Sequence, residues 1–307
     1  MKKIIILYGC MILMVYLARP FSVLEAQCDQ AINNPYKVDY SAPRTIPGMK
    51  LVWHDEFEKE GRPDSANWTY EHGFVRNKEL QWYQPENAYC RDGRLIIEGR
   101  REKIKNPAYN PEGKDWRTMR QYADYTSSCV ITRGLQEWGS YGYFEIRARI
   151  DTAMGAWPAI WLLGTNDHWP AGGEIDMLEF YRINGIPAIL ANVAWGTDQK
   201  YIAAWSSERI PLQKFTTFGH DWVKKYHIWS MKWDEHSIQL MIDGKLVNET
   251  PISCTVNPDG SNPFLAGNTH YILLNLALGA NGGNPVHSKF PVTFEIDYVR
   301  VYKTDKQ

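Results

Sequence analysis

The sequence predicts an all-β sandwich, and three observations carry that prediction. Apolar residues alternate with polar ones over short runs, as in Phe144, Ile146, Ala148 and Ile150 or Ile238, Leu240 and Ile242, the period-2 mark of a half-buried strand. Asp-Gly pairs at 92–93 and 243–244, with other Gly and Pro clusters, punctuate those runs as hairpin turns do. No stretch of the domain sustains the 3.6-residue period of a long amphipathic helix. A length of 307 residues suffices for one large all-β domain with a full core.

At the N-terminus, Lys2 and Lys3 precede an apolar run from Ile4 to Ala18 and a small-residue exit at Leu24-Glu25-Ala26. This is the layout of an export signal over 1–26. The run is shorter than the roughly twenty residues a membrane span requires, so a periplasmic, cell-surface or extracellular protein without a spanning segment is expected. Removal of the signal takes Cys10 and leaves Cys28, Cys90, Cys129 and Cys254. An even count in an oxidising compartment allows three disulfide pairings, with buried thiols as the other reading. None of the four has metal-ligand spacing. Residues 27–49, rich in Asn and Pro, read as a leader, and one domain is placed at 50–305. A formal net charge of −1 argues against nucleic acid or an anionic membrane surface as a partner. Thirteen Trp and eighteen Tyr are more than a core of this size calls for. Their flat faces suit the C–H faces of sugar rings.

The domain opens with Trp53-His54-Asp55-Glu56-Phe57, followed by Asn77-Lys78-Glu79-Leu80-Gln81-Trp82-Tyr83 in a loop that leads into a strand. Asn77 there suits either a sugar hydroxyl or a loop cap. A polar stretch from Lys103 to Tyr125 reads as a long surface loop, a place where specificity is often set. Gly142–Ile150 is the cleanest strand, with one apolar face and one charged face carrying Glu145 and Arg147. That charged face lines a cleft if the strand neighbours the acidic one, and is otherwise a surface ion-pair ladder. Trp157, at a Pro-bounded bend in Gly155-Ala156-Trp157-Pro158-Ala159-Ile160-Trp161, is placed as an exposed sugar platform.

Gly172-Gly173-Glu174-Ile175-Asp176-Met177-Leu178-Glu179-Phe180 is the stretch that points to chemistry. Strict alternation puts Glu174 and Asp176 on one face and Glu179 on the other. A β-bulge that absorbs one residue restores the phase and turns all three acids into one cleft. Packing gives no reason to gather three carboxylates, whereas retaining glycoside hydrolysis needs two carboxyls about 5–5.5 Å apart, one as nucleophile and one as proton donor. A third acid between them raises its neighbours' affinity for a proton. Beyond it, Ile189–Trp195 reads as the partner strand, offering Asn192 and Trp195. His227 reads as a structural strand residue. Asn275 interrupts the apolar run Tyr271–Leu278, so it is either a brace or a sugar contact. Phe294–Tyr302 closes the domain.

Seven of these segments, in this order over residues 50–305, resemble the motifs of glycoside hydrolase family 16: W-x-D-E-F, N-x-E-L-Q-x-Y, E-x-R, G-x-W-P-A-x-W, the bulged E-x-D-x-x-E, a hairpin ending in D-G, and I-D-Y-V-R-V-Y. The resemblance implies a jelly-roll β-sandwich of two curved antiparallel sheets with an open concave cleft. It implies Glu174 as nucleophile, Asp176 as its assisting carboxylate and Glu179 as general acid/base. It places Asn77 on the non-reducing side of the cleft and points Glu145, Arg147 and Asn275 toward it. Ala194 departs from the histidine or tyrosine that family members often carry there. Catalysis is expected to use no cofactor. A structural calcium, with Asp297 and the carbonyl of Gly93 as ligands, is the one metal implied. The function expected is that of a monomeric endo-β-1,3- or mixed-linkage β-1,3/1,4-glucanase acting on polysaccharide. A galactanase of the agarase, porphyranase or carrageenase type is the same-class alternative, kept open by Arg76, Arg147 and Arg182. A non-catalytic glycan-binding protein and a transglycosylase are the alternatives of other classes.

Overall fold

The alternating runs become strands packed as two eight-stranded antiparallel sheets face to face, a jelly-roll sandwich. The computed structural model describes residues 40, 42–139, 141–166, 168–217, 219 and 221–304. The export signal, Cys28 and most of the leader lie outside the described residues.

Twelve described strands are five residues or longer: β1 (Met49–Asp55), β2 (Leu95–Gly99), β3 (Gly142–Ile150), β4 (Ala156–Gly164), β5 (Glu174–Ile183), β6 (Ile186–Gly196), β7 (Ala203–Pro211), β8 (His227–Trp233), β9 (Ser237–Ile242), β10 (Lys245–Pro251), β11 (Thr269–Leu278) and β12 (Val292–Thr304). One sheet runs β10-β9-β8-β3-β12-β2, with β1 also on β12. The other runs β7-β6-β5-β4-β11 and continues into Cys129–Ile131 and Thr69–Tyr70. The acidic strand β5 is therefore central in its sheet, and β7 is that sheet's edge.

Between the sheets lies the main core, where Phe144, Ile146 and Ala148 of β3 and Val299 and Val301 of β12 meet Ile175, Met177, Leu178 and Phe180 of β5. A second apolar cluster of Tyr83, Cys129, Ala159, Trp161, Tyr271 and Leu273 lies on the opposite face of the β4–β11 pair and floors the cleft. Burying one such side chain fully contributes about 1.5–3 kcal/mol. Cys90, Cys129 and Cys254 are free thiols, the first two buried, so the buried-thiol reading holds for that pair. Burial pushes the Cys90 thiol up to about 12, far from reactivity.

Two glycines fix the entry into β5. Gly173 has φ of +84°, a left-handed conformation that a side chain disfavours. A Cβ on Gly164 would fall 1.8 Å from the Gly172 carbonyl oxygen. Gly164→Ala is accordingly expected to push the Gly172–Gly173 turn outward and cost about 1–3 kcal/mol, with kcat falling as Glu174 shifts. Thermal melting and hydrolysis rates on one preparation check this, and an unchanged Tm contradicts it.

Candidate active site

The predicted bulge is present, and it sits where the phase argument requires it. Across from β6, Asp176 pairs with Asn192 but Glu179 pairs with Leu190, three steps against two. Across from β4, Asp176 pairs with Trp161 while Leu178 pairs with Ile160, which identifies Met177 as the extra residue. Met177 and Leu178 both point into the inter-sheet core, at 1% and 0% exposure. The two burials help hold the bulge, and Glu179 returns to the face of Glu174 and Asp176.

That face is one wall of a cleft of about 490 Å³, lined by Glu174, Asp176, Glu179 and Tyr181 of β5, Trp157 and Trp161 of β4, and Asn77, among others. Each acid has an assigned donor. Trp169 Nε1 donates to Glu174 Oε2 at 2.6 Å. Trp157 Nε1 donates to Glu179 Oε1 at 3.0 Å. The Asn192 amide donates to both Asp176 Oδ2 (3.0 Å) and Glu179 Oε2 (2.9 Å), which ties the second and third acids together.

Burial, followed by the Glu174 charge, pushes the Glu179 carboxyl up to about 8, despite the opposing bonds from Trp157 and Asn192. Burial and the two flanking glutamates hold Asp176 well above the usual carboxylate range. Glu174 is raised by burial, but hydrogen bonds that it accepts from Trp169 and from Asp176 oppose that rise. The bond between Glu174 and Asp176 raises the aspartate and lowers the glutamate, so the proton they share resides on Asp176. Glu179 therefore keeps its proton near neutral pH, while the two hydrogen bonds on Glu174 favour its ionised form, so the environments of the two glutamates push them apart.

A hydrogen-bonded chain underlies the cleft floor. Asn77, Glu79, Gln81 and Tyr83 lie at alternate positions. Glu79 accepts from Gln81 (2.6 Å), Asn77 (3.2 Å) and the Tyr83 hydroxyl (3.4 Å). Asn275 donates to that hydroxyl at 3.1 Å and accepts from Trp161 Nε1 at 2.7 Å. Of the two readings of Asn275, the structure shows the brace, on a side chain that also lines the cleft. The Lys103–Tyr125 segment supports the same wall. Arg117 bonds the Val75 carbonyl, and Arg120 bonds the Lys78 and Glu79 carbonyls.

Four sequence expectations need correction. Glu145 and Arg147 lie on β3, in the sheet without the acids, and their side chains point away from the cleft: Glu145 accepts from the Tyr298 hydroxyl at 2.9 Å, and Arg147 pairs with Asp297. Alternation fixed the charged face but not the sheet that would carry it. Trp157 is only 7% exposed, with its ring edge-on to Tyr181; it holds Glu179 rather than presenting a bare platform. Trp195 packs toward the inter-sheet core, because Asn192 and Ala194 take the cleft face of β6 and leave the odd position facing inward. The calcium ligands do adjoin, since Leu95 pairs with Ile296. Yet the Asp297 carboxylate already neutralises Arg147 at 2.5 Å, and among the described residues no group of three or more acidic, His or Cys side chains is placed to hold a metal ion. One carboxylate beside a guanidinium does not fit a cation that wants six to eight oxygens.

Sequence reasoning passed over Trp169, Trp205, Tyr181, Glu79 and Asn281, all of which line the cleft. Tyr181 was readable as the next same-face residue after Glu179, and Glu79 as the alternate position after Asn77. Trp169, in the loop before β5, and Trp205, on a polar edge strand, gave only the weak signal of an aromatic among polar neighbours.

Residues 114–266 match the family description "Glycosyl hydrolases family 16". The Beta-glucanase of Rhodothermus marinus is 32% identical over 280 residues, covering 84% of this chain and 86% of that protein. The chain belongs to glycoside hydrolase family 16. Among solved structures, SCLam, "a non-specific endo-beta-1,3(4)-glucanase from family GH16", superposes with a TM-score of 0.67 at 31% identity, covering 86% of this chain and 94% of that one. A structure described by the words "Prominent members of the human gut microbiota express endo-acting O-glycanases to initiate mucin breakdown" superposes with a TM-score of 0.77 at 34% identity, covering 86% and 95% of the two chains. As a member of this family the protein is a glycoside hydrolase with a jelly-roll fold. No helix among its described residues is long and apolar enough to cross a membrane.

Proposed function

We propose that this family 16 enzyme is an exported endo-β-glucanase that cleaves β-1,3- or mixed-linkage β-1,3/1,4-glucan with retention of configuration. The observation that carries the mechanism is the bulge at Met177, which turns Glu174 and Glu179 onto one face. Glu174, ionised and held by Trp169, attacks the anomeric carbon. Glu179, still protonated near neutral pH, gives its proton to the leaving oxygen, so the glycosidic C–O bond breaks as the carbon–carboxylate bond forms. Glu179 then takes a proton from water, whose oxygen displaces Glu174 and releases the sugar. Asp176, protonated and hydrogen-bonded to Glu174, steadies the nucleophile's charge. Asn192 and Trp157 hold Glu179 in place. No step uses a metal.

The glucan assignment is supported by the Rhodothermus and SCLam likenesses and by a cleft floored with aromatic rings. A galactan or a mucin O-glycan is the second reading, and one observation favours the latter: the structure associated with mucin O-glycanases superposes better than SCLam, at 0.77 against 0.67. Product analysis on laminarin, barley mixed-linkage glucan, porphyran and mucin O-glycans separates the two. Short gluco-oligosaccharides from the first pair support the glucanase. Release from the second pair alone overturns it and leaves the mechanism standing. Products with the opposite anomeric configuration in the first minutes, read by NMR, would overturn retention.

A further inference from the structure

The three arginines that sequence reading offered for anionic substrates are already engaged. Arg76 pairs with Glu71, Arg147 lies on the other sheet, and Arg182 is bonded to the carbonyls of Gly282 and Thr152. The pairing of the edge strand brings in a different one. Register sets three ranks across β5, β6 and β7: Glu174–Ala194–Trp205, Asp176–Asn192–Ser207 and Glu179–Leu190–Arg209. Ser206 faces inward, bonded to Asn248 and Thr250 of the opposite sheet, so Trp205, Ser207 and Arg209 take the cleft face.

Trp205 is 45% exposed and lines the cleft. Between it and Glu174 stands only the methyl group of Ala194, which leaves the floor open. Arg209 is exposed, pairs with Leu190 in the rank of Glu179, and has no carboxylate partner among the described residues. Two strand spacings put this row roughly 10 Å from the acids, on the flank away from Asn77. A charged edge strand discourages aggregation on its own account, but that purpose does not call for a bare tryptophan in the same row.

We propose that Trp205, Ser207 and Arg209 form a subsite on the β7 flank of the cleft that takes a sugar ring bearing an anionic substituent, a sulfate or a carboxylate. The ring stacks on Trp205, and Arg209 donates to the anion. The inference rests on the hydrolase reading above for the cleft being a glycan site, though not on which backbone is cut. It makes Trp205 and Arg209 determinants of specificity and leaves the acids as the chemistry.

Affinity electrophoresis of the Glu174→Gln protein tests it without needing turnover. The gels hold laminarin, lightly sulfated laminarin, lightly carboxymethylated laminarin, porphyran or desulfated porphyran. The charged form of whichever backbone binds is expected to retard the protein more than its neutral form, by about tenfold in apparent affinity. Adding Arg209→Ala should abolish that difference, while Arg209→Lys restores part of it. Adding Trp205→Ala should weaken charged and neutral forms alike, by about tenfold. Comparison of the sulfated and carboxymethylated gels tells which anion is preferred. Equal retardation by charged and neutral forms, a difference that survives Arg209→Ala, or no retardation by any gel overturns the subsite. Failure of the wild type to cut any of these polymers while the charge preference persists overturns the hydrolase reading alone.

Discussion

Glu174→Gln is expected to lower kcat by about 10⁴-fold or more while the melting temperature stays within a few degrees. The change keeps the side chain's size and the acceptor for Trp169 but removes the negative charge that attacks the anomeric carbon. A stronger check uses Glu174→Ala with azide. The small anion should enter the vacated space and yield a glycosyl azide of inverted configuration, because one displacement then replaces two. Residual activity above about one hundredth of wild type, with the variant's purity established, would remove Glu174 from the nucleophile's role.

Glu179→Gln carries the second large effect, and it has two signatures. Loss of the general acid should lower the rate on unactivated glycan by about 10²–10⁴-fold, and much less on an aryl glycoside whose leaving group needs no proton. The wild-type rate should rise with pH as Glu174 ionises and fall near pH 8 as Glu179 loses its proton; the variant should lack the falling limb. Stability should move the other way. Glu179 has its pKa raised on folding, so between about pH 4.5 and 8 the folded chain binds a proton that the unfolded chain has released. Stability from this group is therefore full below about pH 4.5 and is lost as pH rises toward 8. Gln at 179 does not titrate, so the variant's Tm should exceed the wild type's by a few degrees at pH 8, and the gap should close by pH 4. A gap independent of pH would show that Glu179 is not the group held protonated.

The same two residues show how far a sequence can be read. The positions of Glu174, Asp176 and Glu179 demanded a bulge, because three acids at that spacing share a face only if one residue is absorbed, and Met177 absorbs it. Asn275 was legible as a buried amide in need of partners, though not that Trp161 and Tyr83 would supply them. Glu145 and Arg147 show the limit. Their strand was read correctly, but alternation describes a strand's two faces and carries no information about its neighbours. Trp195 went astray for a related reason: one residue of phase separates the cleft from the core, and only the pairing of Asn192 with Asp176 sets that phase.

The sequence by itself determined which segments are strands, where the acidic strand bulges and which three carboxyls meet, since each follows from local periodicity and from the chemistry of neighbouring side chains. Tertiary structure decided which sheet each strand joins, which donors reach the acids, and which of the many aromatic and basic residues face the cleft. Those are outcomes of long-range strand pairing, in which residues such as Glu174 and Trp205, thirty-one positions apart, come into one rank only through the register of the strand between them.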